Sequence, residues 1–268
     1  RDIFLPAFNY RPKKSVQAGL ALQNFADPES PLRYRWGFIG STDTHSARAG
    51  NGFKQSQRLN TTDTTGVRSA FWRDVFASSA VVSEYATESL RADQIDPASA
   101  KIFASEFERT TSFLNVGGIA AVHSEGRDRE AIWNAMQRRE VYGTSGHRML
   151  LWFDIVQGDS SLPMGSAVEI ATIPRFRVEA IGSFKQLSGC PDYVVDALER
   201  RHLEKMSLGE CYHPSDTRYQ IERIEVIKIR PQSLAGEDIG PLIEDSWRVF
   251  DCQPSPKGCT VEFEDPEF

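Results

Sequence analysis

Apolar positions fall into helical and strand-like stretches over the first half of the chain and into short alternating runs over the second. Residues 15–26 (SVQAGLALQNFA) predict a helix with Ser15 as N-cap, followed by a turn at DPESP. YRWGFIGS (34–41) is continuously apolar and aromatic and bounded by turn residues, which predicts a buried strand leading into TDTH. Residues 46–67 carry Gly, Ser, Thr and Asn with little periodicity and predict a long loop. Helical stretches follow around 67–78 and 97–110. GGIAAVHSE (117–125) then predicts a short strand after a glycine pair. DREAIWNAMQRRE (128–140) is amphipathic, with Asp128 and Glu130 in its first turn and Arg138 and Arg139 in its last, as the helix dipole favours. VYGTSG is expected to turn, and MLLWFDI to form a strand.

From about residue 156 the texture changes. AVEIAT, FRVEAIG, RIEVIKI, WRVFDC and CTVEFED are short β-rich runs separated by Gly and Pro, the signature of an antiparallel β-sandwich. ALERRHLEK interrupts them as one helical insertion with a solvated face. This predicts two domains, 1–152 and 153–268. There is no internal repeat and no low-complexity segment.

Composition narrows the partners. A chain with 40% hydrophobic and 25% charged residues can build a real core. The net charge of −6 argues against nucleic acid, whose phosphates favour a basic face. No apolar run approaches the ~20 residues that span a bilayer. Arg1–Tyr10 has neither signal-peptide architecture nor an initiator Met, so the chain is expected to start inside a longer product. All four cysteines, Cys190, Cys211, Cys252 and Cys259, fall in the last third. An even, clustered count fits two disulfides and a periplasmic or secreted setting, and Cys252 and Cys259 bracket the turn-forming QPSPKG. The plainer reading is four buried thiols. Zinc binding by the cysteines is disfavoured because no C-x-x-C spacing is present.

The chemistry concentrates in GFIGSTDTHSARAG. If the strand continues through TDTH, Asp43 and His45 project to the same face, a carboxylate beside an imidazole at the end of a strand. Mixed oxygen and nitrogen ligands suit Zn, Mn or Fe. The plainer alternative is a loop pair bonded to backbone.

GFIGSTDTHSARAGNGFK resembles the last metal-binding motif of the PHP (polymerase and histidinol phosphatase) superfamily, within it the bacterial DUF3604 branch related to carbaryl-hydrolase-like proteins. GGIAAVHSEGRDREAIWNAMQRREVYGTSGHRM, LPMG, RIEVIKIRPQ, IEDSW and CQPSPKGCTVEFED are similar to that branch too. The resemblance implies an α/β fold: the C-terminal part of a distorted (β/α)7 PHP-type barrel with inserted helices, followed by a small antiparallel β-sandwich domain. It also implies two or three divalent metal ions in the intact parent, with Asp43 and His45 as ligands. The H-x-H strand and the middle ligands of the family pattern do not occur before Asp43. The N-terminal half of the barrel is therefore an expected partner, and the fragment alone is expected to be inactive. Metal-activated hydroxide attacking a small-molecule ester would then be the chemistry.

Other residues are weighed beside the pair. Arg48 and Lys54 flank RAGNGFK, within reach of a substrate phosphate or carboxylate, with Gly50 and Gly52 allowing close backbone approach; solvated loop charges are the equal alternative. Thr144, Ser145 and Arg148 in YGTSGHR are candidate oxyanion donors. The favoured reading is a helix C-terminal turn with Gly143 or Gly146 at positive φ. His147 stands where the family pattern leads one to expect a small residue or proline. His123, at a strand end where a ligand could sit, reads as a packed or partly exposed histidine, and His202 and His213 as surface residues. The five tryptophans fit core packing. Three functions follow: a metal-dependent phosphoesterase, a carbamate or carboxylic-ester hydrolase, and a non-catalytic binding protein with a degenerate barrel.

Overall fold

A computed structural model describes residues 15–41, 118–158, 160–207 and 211–268, except for the side chain at position 205. The predicted loop at 46–67 and the helices around 67–78 and 97–110 lie outside the described residues. Within them the chain orders as α1 (Val16–Ala21), β1 (Gln23–Asn24), β2 (Leu32–Arg33), β3 (Ile119–Val122), α2 (Arg129–Gln137), β4 (Val141–Thr144), β5 (Leu150–Gln157) and β6 (Ser160–Leu162). There follow β7 (Arg175–Ile181), β8 (Phe184–Ser188), α3 (Asp192–Ala197), α4 (Arg200–Ser207), β9 (Tyr212–Arg218), β10 (Arg223–Ile229), a 3-10 turn at Gly240–Leu242, β11 (Ile243–Asp251) and β12 (Cys259–Glu264).

Among the described residues the expected (β/α)7 barrel is absent, which overturns the predicted fold class. In its place stand small antiparallel sheets: one of four strands, in the order β12-β7-β5-β6, and four two-stranded pairs, β1-β2, β3-β4, β8-β9 and β10-β11. A barrel repeat needs parallel strands joined through a helix. Here β3 and β4 are joined through α2, yet they pair antiparallel, Ile119 opposite Thr144 and Val122 opposite Val141. The cause lies at the end of α2. The Arg139 amide bonds the Met136 carbonyl and the Glu140 amide bonds the Ala135 carbonyl, a Schellman closure with Arg139 at φ 61°. That closure turns the chain straight back, so that the His123 amide donates to the Glu140 carbonyl at 2.9 Å and the ladder starts antiparallel. The start of α2 follows the sequence, since the Asp128 carboxylate accepts from the Ala131 amide at 2.9 Å.

The four-stranded sheet shows why its sequences alternate. On β7, Phe176, Val178 and Ala180 share a face with Val261 and Phe263 of β12 and with Leu151, Phe153 and Ile155 of β5. Arg175, Arg177, Glu179, Glu262 and Glu264 occupy the other face, where Arg175 pairs with Glu262. The apolar face packs on the β10-β11 ribbon, and Val178, Ala180, Ile224 and Val226 form the core between them. β5 runs through positions 152 and 153, where the two predicted domains were divided. AVEIAT, expected as a strand, is unpaired at 167–172.

Two disulfides close the β-rich part. Cys252–Cys259 links the end of β11 to the start of β12 with Cα atoms 5.8 Å apart. Cys190–Cys211, at 4.8 Å, clamps the base of the β8-β9 hairpin that carries α3 and α4.

Two further expectations are corrected. The helix predicted over 15–26 stops at Ala21, because the next residues dock on Gln232: its amide donates to the Ala21 carbonyl at 2.8 Å, and its side-chain oxygen accepts from the Gln23 amide at 3.0 Å. YRWGFIGS is not a strand, and Trp36, Phe38 and Ile39 are exposed.

Candidate functional site at the Thr144 turn

Asp43, His45, Arg48 and Lys54 lie outside the described residues. The segment ending at Ser41 runs against the open end of the β3-β4 pair, where the Gly118 amide donates to the Ser41 carbonyl at 2.6 Å. Three backbones meet there at glycines. A Cβ on Gly40 would lie 2.8 Å from the Ile119 nitrogen, and one on Gly143 would lie 2.7 Å from the Gly40 nitrogen. Only glycine permits that approach. The described chain thus brings Ser41, two residues before Asp43 in the sequence, to the Thr144 end of β4.

The predicted turn at VYGTSG is half strand. Val141–Thr144 is β4, and the turn proper is Ser145–Gly146, with Gly146 at φ 107°. The Thr144 hydroxyl accepts from the Gly146 amide at 3.2 Å and so holds the turn. Ser145 and Arg148 are exposed, and their side chains have no hydrogen-bond partner among the described residues. His147 is a support: its Nδ1 lies 3.2 Å from the Ser183 hydroxyl and its ring stands edge-on to Tyr219 at 5.3 Å.

Behind the turn lies a polar cluster that the sequence reading did not assemble. The His123 Nε2 is 2.8 Å from the Leu151 carbonyl, a distance that requires Nε2 to carry the proton. Its ring sits 5.6 Å from Tyr142 and 5.7 Å from Trp152. The Tyr142 hydroxyl donates to the Met149 carbonyl at 2.8 Å, and burial raises its pKa. Burial also raises the Asp154 carboxyl, against the opposing pull of His123 and Arg177. The Glu140 carboxyl is held below its ordinary range by the hydrogen bonds of Arg138, at 2.8 and 3.0 Å. The signal was present in β5, where Asp154 is a lone charge inside LLWFDIVQ.

Among the described residues no group of three His, Cys, Asp or Glu side chains is arranged to hold a metal ion. Nor, among them, is any helix long and apolar enough to cross a membrane.

A family model described as "Protein of unknown function (DUF3604)" matches residues 9–157, more than half of the chain. That stretch includes the Asp-x-His motif, both strands of the β3-β4 pair and all of β5. No curated protein and no solved structure matches the chain.

Proposed function

The chain belongs to the DUF3604 family, and on that premise we propose that it supplies Asp43 and His45 as ligands to a divalent-metal site of a hydrolase acting on a small phosphoester. The observation that supports the reading is the course of residues 34–41, packed through Gly40 against Gly118 and Gly143, which brings Ser41, two residues before Asp43 in the sequence, to the Thr144 end of β4. The likeness of residues 37–54 to the last ligand motif of PHP hydrolases supports it. So does the chemistry of the pair, since a carboxylate and an imidazole together favour Zn, Mn or Fe.

A metal held there would supply an activated water and a Lewis acid. The chain's own part is recognition. Arg48 and Lys54 follow the motif closely enough in sequence to meet a phosphoryl oxygen, and exposed Ser145 and Arg148 offer further donors at the turn. A carbamate or carboxylic ester is the alternative substrate for the same site. The two disulfides are compatible with an extracellular or periplasmic location.

The test is metal content by plasma mass spectrometry on the whole parent polypeptide, wild type beside Asp43→Ala/His45→Ala. About two equivalents of Zn, Mn or Fe in wild type, reduced in the variant, is expected. No bound metal in either protein after those ions are added would sink the catalytic reading and leave a binding protein.

A further inference from the structure

The aromatic residues of the β-rich part do not close into a core. No large side chain among the described residues is fully buried. Instead Phe153, Phe176, Phe263, Trp247 and Phe268 surround a cavity of ≈370 Å³ at one end of the space between the four-stranded sheet and the β10-β11 ribbon. Their rings form one continuous wall: Phe176 stacks on Phe263 at 5.2 Å, Phe153 and Phe268 lie 5.8 and 6.0 Å from Phe176, and Trp247 stands edge-on to Phe263 at 5.8 Å. A second cleft of ≈450 Å³ adjoins it and shares Arg33, Phe176, Ile229 and Phe268. Each volume lies in the range of small-molecule sites.

The charges around this two-lobed space select the ligand. Lys228 lies in its wall with its ammonium 5.0 Å from the Trp247 ring and 2.7–2.8 Å from both Asp265 oxygens. The place a ligand cation would take over that ring is already filled. Arg33, Arg35, Arg139 and Arg230 also line the two lobes, against Asp265 and Glu267, in a chain whose net charge is −6. Asp265 is committed to Lys228 and to the Glu267 amide, and Arg230 to Glu244. Arg33 lines both lobes, is exposed, and has no hydrogen-bond or ion-pair partner among the described residues. An apolar body in the aromatic lobe therefore leaves an anionic head beside Arg33, which lines both lobes and whose guanidinium no described group engages.

We propose that this space binds a small amphiphilic carboxylate, its ring or alkyl body among Phe153, Phe176, Trp247 and Phe263 and its carboxylate on Arg33. Two features set this ligand apart from others of similar size. The Lys228 ammonium rejects a cationic head, and a neutral head leaves Arg33 without its charge-assisted bonds.

The test is isothermal titration of the intact chain with 2-naphthoate, naphthalene-2-carboxamide and a naphthyl-trimethylammonium ion. Saturable one-to-one binding of 2-naphthoate is expected, with the carboxamide about tenfold weaker and the cation inert, as one charge-assisted contact implies. Arg33→Gln should bring 2-naphthoate down to the affinity of the carboxamide and leave the carboxamide unchanged. Phe268→Ala, at an exposed ring that tolerates truncation, should weaken both. Equal binding of all three probes, no saturable binding of 2-naphthoate, or an Arg33→Gln variant with undiminished preference would overturn the assignment.

Discussion

Gln23 and Gln232, 209 residues apart, grip one another reciprocally: the Gln232 side-chain oxygen accepts from the Gln23 amide at 3.0 Å, and the Gln23 side-chain nitrogen donates to the Gln232 carbonyl at 2.8 Å. Gln232 also donates from its side chain to the Glu237 carbonyl at 2.7 Å, and it is 7% exposed. One buried amide thus ties α1 and β1 to the loop after β10. Gln232→Ala leaves the part-buried Gln23 amide and Glu237 carbonyl without these partners and should cost about 2–3 kcal/mol. Gln23→Ala, which loses one side-chain bond only, should cost about 1 kcal/mol. Chemical denaturation of both variants checks the ratio, and equal losses would show that the Gln232 side chain does not organise this junction.

Gly165, in LPMG, accounts for a motif whose sequence offers no chemistry. It has φ +87°, and a Cβ there would run into the Arg139 carbonyl, while its own carbonyl accepts from the Arg139 side chain at 3.2 Å. The Arg139 and Arg138 carbonyls that a Cβ would meet are backbone, so no rotamer relieves the clash. Gly165→Ala should destabilise by about 2–4 kcal/mol. A thermal shift of less than a few degrees in that variant would rule this packing out.

The elements that could be read from sequence are those whose pattern serves local and tertiary structure alike. RFRVEAI and CTVEFE alternate because one face meets the β10-β11 ribbon and the other carries Arg175, Arg177, Glu179 and Glu262. Asp128 caps α2 as its position suggests. The misreadings come where distant groups decide. Nothing between residues 15 and 26 announces that Gln232 will end the helix at Ala21. In YRWGFIGS an apolar run looked like a buried strand, whereas contacts with Arg139, Gly118 and Gly143 set its course, and Trp36 remains 44% exposed. The barrel was an inference from resemblance. The Schellman closure at Arg139, a non-glycine residue at positive φ, is what sends β4 back antiparallel, and no glycine marked it. Of the site, the turn at Thr144 was legible as a turn, and the His123–Asp154 cluster behind it depends on packing between β3, β4 and β5.

Lys228 and Asp265 form a nearly enclosed ion pair, with side chains 10% and 4% exposed. Lys228→Met strands the Asp265 carboxylate and should cost about 3–5 kcal/mol, while adding Asp265→Leu should recover much of that loss. Urea unfolding of the single and double variants measures the coupling. A double variant no better than the single one would show that Asp265 matters chiefly through its bonds to backbone.

Two carboxyls near His123 should answer acid with opposite signs. Arg138 lowers the pKa of Glu140 in the fold, so Glu140 stabilises above the ordinary Glu value of 4.5, and this contribution is lost as pH falls through the folded value. Burial raises that of Asp154, so the fold holds its proton more tightly than the unfolded chain does. Stability from this group is therefore present below 3.8 and lost as pH rises through the folded value. Melting temperature from pH 3 to 7, a window of about four units around these values, should show Glu140→Gln with a flatter acid limb. Asp154→Asn should gain on wild type only toward neutral pH. Parallel curves for all three proteins would mean that neither carboxyl is coupled to folding.

The two disulfides should differ in what their loss costs. Cys190–Cys211 closes a loop with a sequence separation of 21, and Cys252–Cys259 one of 7. Loop-closure entropy in the unfolded chain then assigns about 3.4 kcal/mol to the first and about 2.5 kcal/mol to the second. Contacts alter the order of importance. Cys252 and Cys259 both pack against the core of Val178, Ala180, Ile224 and Val226, whereas Cys190 and Cys211 close a peripheral hairpin. Replacing both members by Ala should therefore unfold the β10-β11-β12 region cooperatively for Cys252–Cys259, with loss of near-ultraviolet dichroism from Trp247. For Cys190–Cys211 it should chiefly expose the segment between β8 and β9 to proteolysis. Amide exchange resolved by segment reads both effects, and global unfolding on removal of Cys190–Cys211 alone would reverse the assignment.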